Sequence, residues 1–247
     1  MSTSETAAPL PSSDPAPNAF GALGYFFLYL ALPFGVSVIA ATLNNLLSGS
    51  GAISDFTPTS LAVTAFASST VAYLVIFMVS RDYRHGMVRR LAGLRLARSG
   101  FHRQVAAAML VGALFSLLVI VYMMIFPPPP EAGQITIALI FEGGLLAVTL
   151  GLLLVLIIAP VCEEYLFRGL LLDGFGKSLG VLAGVVLSSL LFAIAHLGDY
   201  YIYWPAMAAV LLLGVINAVW RIKTDNLATA IGSHFAYNLV MLAFAFI

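Results

Sequence analysis

Charged side chains are scarce in this chain of 247 residues, where Asp, Glu, Lys and Arg make up only 9% and hydrophobic residues 61%. A soluble domain carries about 25% charged residues, which cover its surface. The shortage of charge therefore excludes a soluble globular protein. The formal net charge is zero, so no nucleic-acid partner is expected.

Cysteine occurs once, as Cys162, which excludes an internal disulfide and a cysteine-based metal cluster. Cys162 falls in an apolar stretch and is interpreted as a small buried side chain. The chain also lacks a His-Glu-x-x-His zinc helix and a nucleophilic serine with a matching Asp/His pair. The common hydrolase motifs are thus missing.

Long apolar runs are abundant, and the mean hydropathy is +1.02. Several runs reach the roughly 20 residues that cross a bilayer core of about 30 Å. The predicted helices lie at about 21–47, 58–80, 104–126, 137–172, 180–197, 204–220 and 227–247. The predicted fold class is an all-α polytopic membrane protein with about seven transmembrane helices around a polar intramembrane cavity. An eighth crossing would require the long fourth segment to span twice.

The chain is expected to divide into a tail and one membrane domain. Residues 1–19 are rich in Ser, Pro and Ala, lack the basic and apolar regions of a signal peptide, and predict a disordered tail. Residues 20–247 then form a single transmembrane domain. The stretch "RDYRHGMVRRLAGLRLARSGFHR" has seven arginines against one aspartate, which predicts the cytoplasmic side. Arginine in excess of lysine indicates a prokaryotic plasma membrane.

Ionisable side chains within the predicted helices are few. Each costs about 2.5–3.5 kcal/mol at the centre of a bilayer, so such groups face protein or water and mark function. They are Glu142, Glu163, Glu164, Arg168, Asp173, His196 and His234. We expect these groups to be one another's partners.

Helix geometry makes that expectation specific. Glu164 and Arg168 are four residues apart and able to pair, whereas Glu163 points about 100° away from Glu164. The midpoint between Glu163 and His196 falls in "DGFGKSLG", a predicted hairpin turn that Asp173 would cap. Both residues are therefore expected at equal height, about 24 Å from that turn.

His234 gives a different depth. It lies about eight residues from the loop "RIKTDN", which places it about 12 Å from the cytoplasmic side. The two depth estimates disagree, so the sequence alone does not fix where a shared site would lie.

Three motifs together resemble a known family. "EEYLFRG", "FAIAH" and "HFAYN" match the patterns Glu-Glu-x-x-x-Arg, Phe-x-x-x-His and His-x-x-x-Asn, in that order, within residues 163–238. They resemble the signature elements of the CAAX-protease and bacteriocin-processing family of intramembrane peptidases, the Rce1-like or Abi group. Family members often have eight spans, whereas this chain stops nine residues after Asn238.

The resemblance implies roles for individual residues. Glu163 would be the general base that activates a water with help from His196. His234 and Asn238 would form the oxyanion hole. The second glutamate and the arginine of the first motif would have a supporting role.

The predicted function is that of an intramembrane endopeptidase acting on a membrane-associated polypeptide, with a prenylated CAAX-type polypeptide among the candidates. A metal-free mechanism without a cofactor is favoured. Zinc bound by Glu163, His196 and His234 is the alternative for the same protease. A non-catalytic membrane immunity or scaffold protein is the second class. A transporter is disfavoured because the sequence shows no inverted repeat.

Overall fold

The structure is a computed structural model that describes residues 15–48, 57–83, 100–130, 132 and 142–245. All regular secondary structure within these ranges is helical. The elements are α1 (Ala19–Ser48), α2 (Pro58–Val79), α3 (Phe101–Ile125), α4 (Gly144–Leu179), α5 (Val181–Ala195), α6 (Leu197–Tyr200), α7 (Trp204–Thr224) and α8 (Leu227–Ala245). The predicted all-α fold class is confirmed.

Six of these helices are long and apolar enough to cross a bilayer, and α5 is a shorter apolar helix. Together they agree with the predicted count of about seven. The fourth segment is one element of 36 residues, so the eighth crossing considered for it is not found there. Residues 1–14 of the predicted tail and 84–99 of the basic stretch lie outside the described residues, and the single domain over 20–247 stays a prediction.

Helix α4 departs from α-helical winding in two places. The stretches Leu154–Ile158 and Tyr165–Leu171 are π-helical, and the α-helical turn between them, Ala159–Glu164, carries the two adjacent glutamates. Short π-helical stretches are rare and often occur at functional sites. The wider turns therefore set the direction in which the two carboxylates point.

The predicted turn over "DGFGKSLG" is wrong. Helix α4 continues to Leu179, and the chain reverses at Gly180, whose φ of +93° glycine adopts at little cost. The earlier glycines serve close packing instead. A side chain at Gly174 would come within 3.0 Å of Ala22 in α1, and one at Gly184 in α5 within 3.0 Å of Gly176.

Asp173 lies within helix α4 rather than at a turn, and it belongs to a partly buried ion cluster. Nη2 of Arg221 lies 3.2 and 3.1 Å from the two carboxylate oxygens of Asp173, and Nη1 donates to Asp225 at 2.9 Å. Arg221 is only 1% exposed. The cluster ties α4 to the end of α7 and holds both at one level.

This cluster removes the disagreement in depth. Glu163 precedes Asp173 by ten residues, and His234 follows Asp225 by nine, which correspond to about 15 and 13.5 Å of helix. Helix α4 then continues about 10 Å beyond the cluster before it turns at Gly180. The turn at Gly180 and the loop "RIKTDN" therefore lie at different heights, whereas Glu163 and His234 lie at the same height.

Helices α3 and α8 pack tightly at Gly112, where any side chain would collide with the backbone of Ser233. We expect Gly112→Ala to lower the free energy of unfolding by about 1–3 kcal/mol, since the helices would have to separate. Thermal unfolding in detergent measures this. Gly35→Ala on α1, where nothing lies within 4 Å of the added atom, is the control and should be neutral or slightly stabilising. Equal losses in the two variants would contradict the packing argument.

Candidate active site

Three of the predicted site residues converge from three parts of the chain. Oε2 of Glu163, on α4, lies 3.9 Å from Nε2 of His196 and 3.9 Å from Nε2 of His234. Gly180 follows Glu163 by 17 residues and precedes His196 by 16. The predicted equal height of Glu163 and His196 is therefore confirmed.

His196 lies just beyond the end of α5 rather than inside a helix as predicted, with φ −97° and ψ 7°. Its Nδ1 is 2.8 Å from the carbonyl oxygen of Phe192. A carbonyl only accepts, so Nδ1 carries the proton. The other ring nitrogen, Nε2, is the one that faces Glu163.

His234, on α8, has the same arrangement with a different partner. Its Nδ1 is 2.9 Å from Oε1 of Glu164, and an ionised carboxylate also only accepts. Nδ1 of His234 therefore carries a proton as well. Both histidines direct Nε2 toward the same oxygen of Glu163.

Glu164 is held by several helices at once. Nε of Arg168 lies 3.2 Å from Oε2 of Glu164, close enough for ion pairing although outside hydrogen-bond geometry, which confirms the predicted pair. Asn217 of α7 donates to Oε1 of Glu164 at 2.9 Å. Both charged side chains are fully buried. Glu164 is thus the common partner of α4, α7 and α8.

Arg168 has two further neighbours. Its Nη2 donates to the carbonyl oxygen of Gly214 in α7 at 2.9 Å. Its Cζ lies 4.4 Å from the ring centroid of Phe192, a distance at which an aromatic face attracts a cation. The guanidinium is therefore fixed against α5 and α7 as well as Glu164.

Asn238 lies one helical turn beyond His234. Its Nδ2 donates to the carbonyl oxygen of Val155 at 2.9 Å, within the first π-helical stretch of α4. Since a side-chain amide has two N–H donors, this bond uses one of them. The structure thus places Asn238 at the contact between α8 and α4, on the same face as His234.

Tyr73, on α2, was not predicted as a site residue. Its hydroxyl donates to Oε1 of Glu163 at 3.3 Å. A buried tyrosine usually finds a partner for its hydroxyl, but the chain has ten tyrosines, and nothing in the sequence distinguishes this one.

Zinc was considered with Glu163, His196 and His234 as ligands. Carboxylate and imidazole donors suit zinc. Among the residues that the structure describes, however, no group of three or more His, Cys, Asp or Glu side chains has the spacing of a metal site. The donor atoms are of types that zinc binds, but their spacing is not that of a metal site.

Comparison with known proteins supports the resemblance. Residues 145–240, which contain all three motifs, match the family of type II CAAX prenyl endopeptidase Rce1-like proteins. An uncharacterised 24.3 kDa protein of Escherichia coli is 31% identical over 144 residues, which are 58% of this chain and 65% of that protein. No solved structure matches the chain. The predicted family resemblance is confirmed for the segment that carries the site.

Proposed function

We propose, on the premise that residues 145–240 match the Rce1-like family, that the protein is an intramembrane endopeptidase. It would hydrolyse a peptide bond of a membrane-associated polypeptide, such as a prenylated CAAX-type chain, in a prokaryotic plasma membrane. One observation carries the proposal. A buried carboxylate, Glu163, faces two histidine Nε2 atoms at 3.9 Å each, among helices apolar enough to span a bilayer.

The first step is activation of water between Glu163 and His196. Their separation of 3.9 Å is too long for a direct hydrogen bond but suits two groups that share a water. The water donates one hydrogen to Glu163 and the other to Nε2 of His196. Glu163 removes its proton as the oxygen attacks the peptide carbonyl carbon.

The second step needs donors for the oxyanion. His234 and the second N–H of Asn238 have this role in the proposal, and each such donor is worth about 2.7–4 kcal/mol. Because Nδ1–H of His234 is directed at Glu164, Nε2 donates only as an imidazolium. The Glu164 carboxylate balances that positive charge, which is its supporting role.

The last step breaks the C–N bond. Glu163 returns the proton that it took from water to the leaving nitrogen, so the products are a carboxylic acid and an amine. Arg168 supports the site indirectly, because it holds Glu164 in place. All of these steps use side chains of this chain alone.

Reconstituted protein tests the proposal. The full chain in proteoliposomes is given a farnesylated CAAX-type peptide with a fluorophore and quencher on either side of the expected cleavage point, and an apolar membrane-inserted peptide without the lipid. We expect cleavage at one peptide bond in at least one of them, identified by mass spectrometry. Failure to cleave either peptide would contradict the proposal.

Metal removal decides between the two versions of the mechanism. We expect 1,10-phenanthroline to leave the cleavage rate within twofold, because in this proposal Glu163 activates the water without a metal. Metal analysis of the purified protein accompanies the assay. A loss of activity that added zinc restores would instead favour the zinc-dependent protease, with Glu163, His196 and His234 as its ligands.

A further inference from the structure

Tyr73 contacts a different oxygen of the Glu163 carboxylate from the one nearest the histidines. It lies on α2, outside the matched segment 145–240, and its side chain is buried. Its hydroxyl donates to Oε1 of Glu163 at 3.3 Å, while Oε2 faces the two imidazoles. The two oxygens of Glu163 therefore have separate partners.

A chain of contacting rings leads from Tyr73 to the two histidines. The rings are those of Tyr73, Tyr29, Phe167, Phe192, His196 and His234. Successive ring centroids from Tyr73 to Phe192 are 5.9, 5.7 and 5.1 Å apart. Phe192 then contacts the imidazoles at 4.7 and 5.7 Å. Because each ring packs against the next, the position of the Tyr73 ring is linked to the positions of both imidazoles.

The ring of Tyr73 also lines a crevice of about 210 Å³ between α1, α2 and the end of α5. Pro33, Ser69 and Ala72 line it too, together with Ala195, which directly precedes His196. Tyr73 thus forms part of the wall of this crevice, and its hydroxyl contacts Glu163. Removing the hydroxyl alone would leave the wall in place.

We propose that Tyr73 is a positioning residue for Glu163, an inference that rests on the function proposed above. By holding Oε1, it keeps Oε2 directed at the two imidazoles. The terminal torsion of a glutamate is broad, so a carboxylate without this donor would turn more freely. A misdirected base lowers the rate of the chemical step and leaves substrate binding unchanged.

Tyr73→Phe tests the inference, since it removes one oxygen and keeps the ring. We expect kcat to fall about 10- to 100-fold, the size of effect that loss of a hydrogen bond to a charged group produces, with KM within twofold of the parent. Tyr165→Phe is the matched control. Its hydroxyl lies 2.6 Å from Oγ of Ser80, the residue that caps the end of α2, so it also links α2 to α4. We expect its kcat to stay within twofold.

Three outcomes would overturn the inference. Tyr73→Phe could keep kcat within threefold of the parent, or the control could lose as much activity, which would indicate general packing. Tyr73→Phe could also fail to accumulate as folded protein, which would make the hydroxyl a structural requirement. Glu163→Gln in the same assay separates the two proposals. If it is inactive while Tyr73→Phe is fully active, only this inference fails; if it is active, the proposed function fails.

Discussion

Glu163→Gln is expected to lower kcat/KM for peptide cleavage by about 1,000-fold or more, within the range that general acid–base catalysis supplies. The amide has nearly the same shape, and its oxygen still accepts the hydrogen bond from Tyr73. It has no capacity to take the proton from water. A neutral amide is also easier to bury than a carboxylate, so the variant should fold and insert normally. Steady-state kinetics on the reporter peptide, with expression and detergent elution profiles alongside, measure the effect.

Glu142→Gln is the control for this change. Glu142 is exposed and lies two residues before the start of α4, so the same substitution there should leave kcat/KM within twofold. Full cleavage by Glu163→Gln would show that another group is the base. If Glu163→Gln and His196→Ala both retained the protein's biological effect in cells, a non-catalytic immunity or scaffold role would replace the protease.

Arg168→Met is expected to lower the free energy of unfolding by about 3–5 kcal/mol. Arg168 and Glu164 are both fully buried, with Nε of the arginine 3.2 Å from the carboxylate. Methionine fills a similar volume but leaves Glu164 as a buried charge without its cation. Unfolding in mixed micelles, followed by circular dichroism, measures the loss.

Two further variants distinguish this charge effect from simple damage to packing. Arg168→Met combined with Glu164→Gln should recover most of the stability, since removing both charges of a buried pair is often nearly neutral. It should not recover activity, because the carboxylate contact of His234 is changed. Arg81→Met, at an arginine with a 77% exposed side chain, should be neutral. A double variant as unstable as the single one would contradict the electrostatic explanation.

From the sequence, the polar contacts of α4 were predicted more accurately than the winding of this helix and the point where it ends. Glu164 and Arg168 were expected to pair from their spacing, and Glu163 and His196 were expected to meet from the symmetry of a hairpin. Both expectations depend only on rise and residues per turn, which are nearly constant. A polar pair in an apolar helix also has few alternative partners, so its contact is predictable.

Glycine positions and apolar runs were less informative about where the helices turn and where their winding changes. In "DGFGKSLG" only the last glycine, Gly180, makes the turn. Gly174 and Gly176 instead allow close approach of α1 and α5, and composition does not distinguish these uses. The π-helical stretch Leu154–Ile158 lies in a run in which every residue is apolar, so its hydrophobic period is unreadable. The contact of Tyr73 with Glu163 joins residues 90 positions apart, which no local pattern reveals.

The spacing between the two widened turns of α4 makes the protein sensitive to residue number as well as to residue identity. Deleting one residue from positions 159–162 would shorten the α-helical turn between the two π-helical stretches. Everything before the deletion would then rotate by about 100° relative to everything after it. Every residue of the three motifs would still be present in the shortened chain, yet Val155 and Asn238 would no longer face each other. Length variation within this helix should therefore be far less tolerated than substitution of its lipid-facing side chains.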